Sequence, residues 1–449
     1  MSLTRSLLHT ITSCLPSKWK SELVAWWFNN HAIPILYKRN GLLDTLAEAL
    51  FHKYTGMQAY RRRIKKYLQI REKEVITVVF QIWNVSKWKC DSVYKAMEEH
   101  PRFNPIIWIT DEEASCKSDA DAMREKILSL CQHNKYRYTE VSDWEDLDHS
   151  VHPDIVFLMD HYISFSQMPP PSVDRLTCYV RYCFPNTNLK GGVEGFMVPQ
   201  FLFFFMENES VARESRPHVI HHGHNFAITG HPIVDALMER TPTETSVWKK
   251  QPHSKKKIIW APHWTINNDG PAFNSATFLE YAELMRNIAQ KHADKLQIAF
   301  KPHPTLYRVL CKHPEWGKEK ADSYYAWWAE QPNTQLETGE YKALFQQSDA
   351  MIHDSGSFIL EYLLMDKPCM YLSRAIEFPH FNEMNKEALK CYHIGKGEKD
   401  IETFIQQQIL ESKDIYLHQR QNFVKEYALE QLNFKRTKYS VFDSAAGYS

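Results

Sequence analysis

Apolar and polar positions fall into blocks that switch between two periods along the chain. Val75–Ile82 (VITVVFQI) is almost continuously apolar, as a strand buried on both faces of a parallel sheet requires. A helix near Asp91–Glu99 follows, then a strand at Pro105–Thr110 (PIIWIT), a helix around Asp119–Cys131, and strands at Tyr136–Val141 and Asp154–Asp160 (DIVFLMD). Pro169-Pro170-Pro171 marks a loop, and Leu176–Cys183 and Asn225–Gly230 read as the last strands of this half. A second series begins after a polar stretch, Thr241–Lys257. Its strands are Ile258–Ala261 (IIWA), Gln297–Phe300 (QIAF), Ala350–Ile352 and Pro368–Leu372, with helices near Ala276–His292 and Tyr341–Gln347. Strand and helix alternate throughout, which predicts doubly wound α/β domains. Residues from Asp400 to about Lys435 read as mostly helical.

Length agrees with this division. A chain of 449 residues is too long for one ordinary core. The expected organisation is a basic helical extension over residues 1–71, an α/β domain over 72–235, a second over 236–410, and a helical region over 411–449.

Charge changes the picture only locally. Lys+Arg and Asp+Glu both total 54, so the balance argues against a nucleic-acid partner. The first 71 residues, however, hold 12 Lys/Arg against Glu22, Asp44 and Glu48. Leu7, Leu8 and Ile11 fall at helical spacing there, and Trp19, Trp26 and Trp27 are interleaved with Lys18 and Lys20. Such a segment suits an anionic membrane surface; it equally suits a helical cap packed on the first domain. No apolar run approaches the ~20 residues of a membrane-spanning helix. Nine cysteines without a CxxC spacing suggest reduced thiols in a cytosolic protein.

Candidate chemistry collects at three strand ends of the second half. Ile258–Ala261 leads into Pro262-His263-Trp264-Thr265, Gln297–Phe300 into Lys301-Pro302-His303-Pro304, and Ala350–Ile352 into His353-Asp354-Ser355-Gly356-Ser357. Ligands of open parallel sheets bind beyond the carboxyl ends of the strands. Cationic, imidazole and hydroxyl groups therefore converge where a diphosphate would sit. Ser355, Gly356 and Ser357 lie where a helix begins, and Leu360, Leu363 and Leu364 form that helix's buried stripe. An ordinary Ser-capped crossover helix would carry the same pattern. Three such loops in one half tip the balance towards a phosphate cradle.

Ala261-Pro262-His263-Trp264, Lys301-Pro302-His303-Pro304, Ser348-Asp349 with Asp354-Ser355-Gly356-Ser357, and Lys367-Pro368 resemble the C-terminal half of the CDP-glycerol glycerophosphotransferase family, the teichoic-acid and capsule polymerases and primases. Asn225–Asp235 (NFAITGHPIVD) resembles that family's domain junction. The resemblance covers about residues 225–375. It implies two Rossmann-like domains facing a cleft, the GT-B fold, with a CDP-alcohol donor bound mainly by the second domain and peripheral attachment to the inner face of a bacterial membrane. Position by position it implies that Lys301 and His303 face the donor phosphates, that Ser355, Gly356 and Ser357 bind them together with Asp354, and that Glu361 holds the ribose. His263 stands where the family usually has Thr. No cofactor is implied, with Mg2+ as an optional aid.

One departure matters. The family's first domain carries a Trp-His-Gly motif whose His is the expected general base. The corresponding segment here, Tyr179–Gly192 (YVRYCFPNTNLKGG), contains no His. Asp160 or His161, at the end of the DIVFLMD strand, are the candidate replacements; either could instead cap a loop. The expected function is transfer of a polyol phosphate from a CDP-linked donor to a surface polysaccharide or lipid-linked acceptor. Two alternatives stand beside it: a glycosyltransferase of the same fold using a nucleotide sugar, and a non-catalytic assembly protein that kept the donor domain. His221, His222 and His224 suit a polar loop better than a metal site, and Trp316–Trp328 suits domain packing better than acceptor stacking.

Overall fold

The computed structural model describes residues 57–110, 117–141, 143–160, 176–187, 189, 198, 201–239, 246–266, 276–373 and 381–426. The tryptophan-rich part of the basic extension, His161, the triple-proline loop and the tail past residue 426 lie outside the described residues. The described residues divide into two compact units: one takes 57–182 and 189–229, the other 183–187 and 230–426.

The first unit is a seven-stranded sheet in which every pairing is parallel. Its strands are β1 (Ile76–Ile82), β2 (Phe103–Ile109), β3 (Tyr138–Thr139), β4 (Ile155–Leu158), β5 (Leu176–Tyr179), β6 (Phe203–Met206) and β7 (Phe226–Ile228), in the order β3-β2-β1-β4-β5-β6-β7. β1 pairs with β2 from Ile76↔Phe103 to Ile82↔Ile109. Parallel neighbours need a crossover, and the helices Asp91–Glu98, Lys117–Asn134 and Trp144–Ser150 supply it. Asp143 caps the last of these, its side chain accepting from Asp146 N. The core follows from the apolar runs: Phe80 stacks on Phe157 at 4.8 Å between centroids, and Phe157 on Phe205 at 5.9 Å.

The second unit repeats the plan with β8 (Lys256–Ala261), β9 (Leu296–Phe300), β10 (Thr334–Leu336), β11 (Ala350–His353), β12 (Cys369–Leu372) and β13 (His393–Gly395), ordered β10-β9-β8-β11-β12-β13 and again parallel throughout. Both sheets have the Rossmann strand order, which reverses direction between β1 and β4 in one unit and between β8 and β11 in the other. That crevice is where the loops bearing His263 and Ser355 leave the second sheet.

Trp260, Phe278, Phe300, Tyr324 and Trp328 form the aromatic centre of this unit. Trp328 lies on the helix Gly317–Glu330 and meets Trp260 at 5.5 Å, so the aromatic run Trp316–Trp328 serves packing. Near the C-terminal end, the fully buried Arg420 pairs with Asp366 (3.0 Å) and Asp414 (2.5 Å) and fastens the helix Leu417–Phe423 to the unit.

Candidate functional site

The second unit's site is built on the loops after β8, β9 and β11. Asp354 follows β11 directly and is 1% exposed. One of its oxygens accepts from His263 N at 2.6 Å. The other accepts from Thr277 N at 2.6 Å and Thr277 Oγ1 at 2.9 Å. Asp354, expected among the donor ligands, braces the loops after β8 and β11 together across the crevice. Its carboxylate has three donors from the protein itself, contacts no sequence motif reveals. Burial raises its pKa to about 6, against the pull of those donors.

His353 is fully buried. Its Nδ1 lies 3.1 Å from Ser355 O, and since a carbonyl only accepts, Nδ1 carries the proton. That bond fixes the first turn of the loop. Burial pushes the His353 pKa down to about 3, so the ring is neutral. Ser355 and Ser357 hydroxyls bond each other at 3.0 Å. Neither caps a helix, because the helix Phe358–Leu363 has no side-chain cap at Ser357. At six residues it also aligns few peptide dipoles, so the loop's offer to an anion is made by its polar groups rather than by a macrodipole. Ser355 is 4% exposed, while Ser357 is half-buried and presents the pair.

The cations and imidazoles stand on neighbouring loops. Lys301 Nζ donates to Gly339 O at 2.9 Å and lies 5.3 Å from the centre of the Tyr341 ring. The rings of His263 and His303 meet edge-on, 4.9 Å apart. His263 Nδ1 lies 3.0 Å from Thr265 Oγ1, and burial lowers the His263 pKa to about 4, so it faces the site uncharged. His303 Nδ1 accepts from Thr305 N at 3.1 Å and so spends one nitrogen on its own loop. Glu361 is 1% exposed and accepts from Tyr341 OH at 2.6 Å. Tyr341 and Thr277 were not visible as site residues in the sequence: each acts by contact with a residue far away in the chain. Lys367, quoted for its motif, donates to Phe345 O and Gln346 O at 2.8 and 2.7 Å and closes the C-terminal end of the helix Lys342–Gln347.

In the first unit, Asp160 is 1% exposed, and its Oδ2 lies 3.3 Å from Lys87 Nζ. That ammonium also sits 3.2 Å from the centre of the Tyr182 ring. His161 is outside the described residues. No group of three or more His, Cys, Asp and Glu is placed to hold a metal ion among the described residues, so the reading of His221, His222 and His224 as a metal site gains nothing.

Residues 215–378 match the family model of CDP-Glycerol:Poly(glycerophosphate) glycerophosphotransferase. No curated protein sequence matches the chain. Among solved structures, the wall teichoic acid polymerase TagF superposes with a TM-score of 0.58 at 13% identity, covering 91% of this chain and 98% of that one. UDP-GlcNAc 2-epimerase from Neisseria meningitidis, bound to UDP-GlcNAc, gives 0.52 at 14% identity over 83% of this chain and 100% of that one. A putative UDP-N-acetylglucosamine 2-epimerase from Listeria monocytogenes gives 0.52 at 13% over 78% and 91%. At such identities the likeness speaks for the fold, and the family match, a little over a third of the chain, includes the loops above.

The fold class is therefore GT-B, α/β with two Rossmann-like units. Within that class, residues 215–378 are similar to the CDP-glycerol glycerophosphotransferases, as the motifs at the ends of β8, β9 and β11 imply.

Proposed function

We propose that this enzyme moves a polyol phosphate, glycerol-phosphate-like, from a CDP-linked donor to a surface polysaccharide or teichoic-acid-like acceptor. The observation that carries the reading is the convergence of Lys301, His303, His263 and the Ser355–Ser357 turn at the carboxyl ends of β8, β9 and β11, inside the stretch that matches the family. An acceptor hydroxyl attacks the donor's β-phosphorus. The new ester P–O bond forms as the phosphoanhydride breaks, and CMP leaves with the electron pair. Lys301 offsets the charge gathering on the leaving phosphate, His303 donates to it from Nε2, Ser357 donates to it with Ser355 behind, and Gly356 leaves room for close approach. Glu361, oriented by Tyr341, accepts from the ribose. Asp160 or His161 takes the acceptor's proton. The chemistry needs no cofactor, and an Mg2+ ion arriving with the diphosphate would add to charge neutralisation.

The same reading places the enzyme at the cytoplasmic face of a bacterial membrane. Support comes from the helix Met57–Arg71 (MQAYRRRIKKYLQIR), which has no acidic residue and turns Arg61, Arg62, Lys65 and Leu68 outward. Arg63 points inward and is 1% exposed.

The deciding experiment incubates the full chain with CDP-glycerol, CDP-ribitol and common nucleotide sugars plus candidate acceptors, with mass spectrometry of the products. Release of CMP with a phosphodiester-linked product is expected. Turnover confined to UDP- or GDP-sugars would replace the reading by glycosyl transfer, and no turnover with any donor would leave a donor-binding assembly protein.

A further inference from the structure

After Tyr182 the chain leaves the first unit, gives residues 183–188 to the second, and returns to the first at Leu189. This excursion is the segment in which the expected histidine is missing. It is firmly held. Asn382 N donates to Asn186 O at 2.8 Å, and the side-chain amides of Asn382 and Asn385 both donate to Pro185 O, at 2.9 and 2.8 Å. Asn382 is itself fixed as the cap of the helix Glu383–Leu389, accepting from Asn385 N at 2.9 Å. Phe184 is buried against the His231 ring, 4.8 Å between centroids.

The result is that the Asn186 side chain rests on Gly356. A Cβ added at Gly356 would run into Asn186 Nδ2 and lie 3.0 Å from its Cγ. Gly356 is not among the residues with positive φ. Its lack of a side chain is therefore used for space, and the amide of Asn186 fills that space. This amide is half-buried and makes no hydrogen bond among the described residues. A half-buried amide on a pinned segment faces solvent in the free protein, and a ligand that accepts hydrogen bonds can take the place of that water.

We propose that Asn186 is a donor-binding residue: its side-chain amide, beside the Ser357 hydroxyl, closes the cradle on the diphosphate of the nucleoside-diphosphate-linked donor. This rests on the donor reading above and adds to it a neutral ligand delivered by the excursion at 183–188. An amide suits the role because its N–H groups donate to phosphate oxygens in the ground state without adding a charge to titrate. The three hydrogen bonds that pin the segment go to main-chain oxygens, so replacing the Asn186 side chain leaves them in place.

The test is titration calorimetry of CDP-glycerol and of CDP against the full chain and its Asn186→Ala, Asn186→Asp, Ser357→Ala, Gly356→Ala and Gly356→Ala/Asn186→Ala forms, with circular dichroism to verify folding. Asn186→Ala should weaken binding about tenfold, the worth of one hydrogen bond to a charged group. Asn186→Asp should weaken it further, with a penalty that grows as salt is lowered. Gly356→Ala displaces the amide, so it should weaken binding in the native background and cost less when Asn186 is already alanine. Donor binding that is weakened by Ser357→Ala but unchanged or tightened by Asn186→Ala overturns the assignment alone. A native chain that binds neither ligand, with Ser357→Ala no different, overturns the donor reading and the assignment with it.

Discussion

Replacing Asp354 separates a brace from a ligand. Three donors converge on this carboxylate at 2.6, 2.6 and 2.9 Å, two of them main-chain N–H groups on the loops at His263 and Thr277. Hydrogen bonds to a charged group are each worth about 1.5–3 kcal/mol, and an orphaned buried donor costs about 1–3 kcal/mol. Against that stands the burial of the carboxylate. Its pKa rises from 3.8 to about 6, which at about 1.4 kcal/mol per unit burdens the ionised form by ~3 kcal/mol. That burden is what remains after the bonds have acted, so the loss in Asp354→Ala comes from the orphaned donors and the untied loops and should be about 3 kcal/mol. Asp354→Asn should cost less but not nothing, because its NH2 group must face one of the two N–H donors. The sign of the pH effect follows from the raised pKa: the stability this group contributes is complete below about pH 4 and is lost as pH rises through 6. Asparagine removes that slope. Since two units need not unfold together, the measurement is urea unfolding combined with amide hydrogen exchange at His263 and Thr277, which should accelerate strongly in Asp354→Ala. Unchanged exchange and stability, with loss of donor binding alone, would refute the brace and return Asp354 to the ligand set.

Three other outcomes follow from the same geometry. His353 is held neutral with its pKa lowered to about 3, so it contributes stability that is present above pH 6.5 and lost as pH falls towards 3, at about 1.4 kcal/mol per pH unit; His353→Asn, whose Nδ2 can replace the bond to Ser355 O, should flatten that part of an acid titration followed by tryptophan fluorescence, and an identical slope counts against the buried neutral ring. Tyr341→Phe removes the 2.6 Å bond to Glu361 and should raise the KM for the CDP-linked donor several-fold with kcat little changed, whereas a drop in kcat alone would contradict a positioning role for Tyr341. Asp160→Asn removes the carboxylate paired with the Lys87 ammonium, so it should lower the unfolding midpoint of the first unit; if Asp160 also takes the acceptor's proton, kcat falls about 10²–10⁴-fold, while unchanged kcat moves that role to His161.

The loops at the ends of β8, β9 and β11 were legible because each follows an apolar run long enough to announce a strand. β6, β10 and β13 were not expected. Thr334–Leu336 and His393–Gly395 are three residues each, too short for a period to show, and Phe203–Met206 sits in a continuous aromatic run without alternation. The helices Leu306–Lys312 and Gly317–Glu330 were hidden by the aromatic composition of that region, although its packing role was readable. Within the site, residue types were legible and their engagements were not. Lys301, His303 and Ser357 stand on the expected loops. That Asp354 is consumed by Thr277, and Glu361 bonded to Tyr341, depends on contacts between positions 77 and 20 residues apart.

The two units also solve one structural problem in chemically different ways. In each Rossmann sheet the crevice opens where the strand order reverses, and the two loops flanking it must be tied. In the second unit Asp354, next after β11, ties to the loop after β8 through main-chain N–H donors, which have no protonation state to change and no freedom to swing away. In the first unit Asp160, two residues past the end of β4, ties to the segment after β1 through the Lys87 side chain. A lysine has a flexible stem and a replaceable contact, and this one is also engaged by the Tyr182 ring. Of the two buried aspartates, Asp354 is committed to architecture by donors that cannot leave. The ion pair of Asp160 is with an ammonium on a flexible stem.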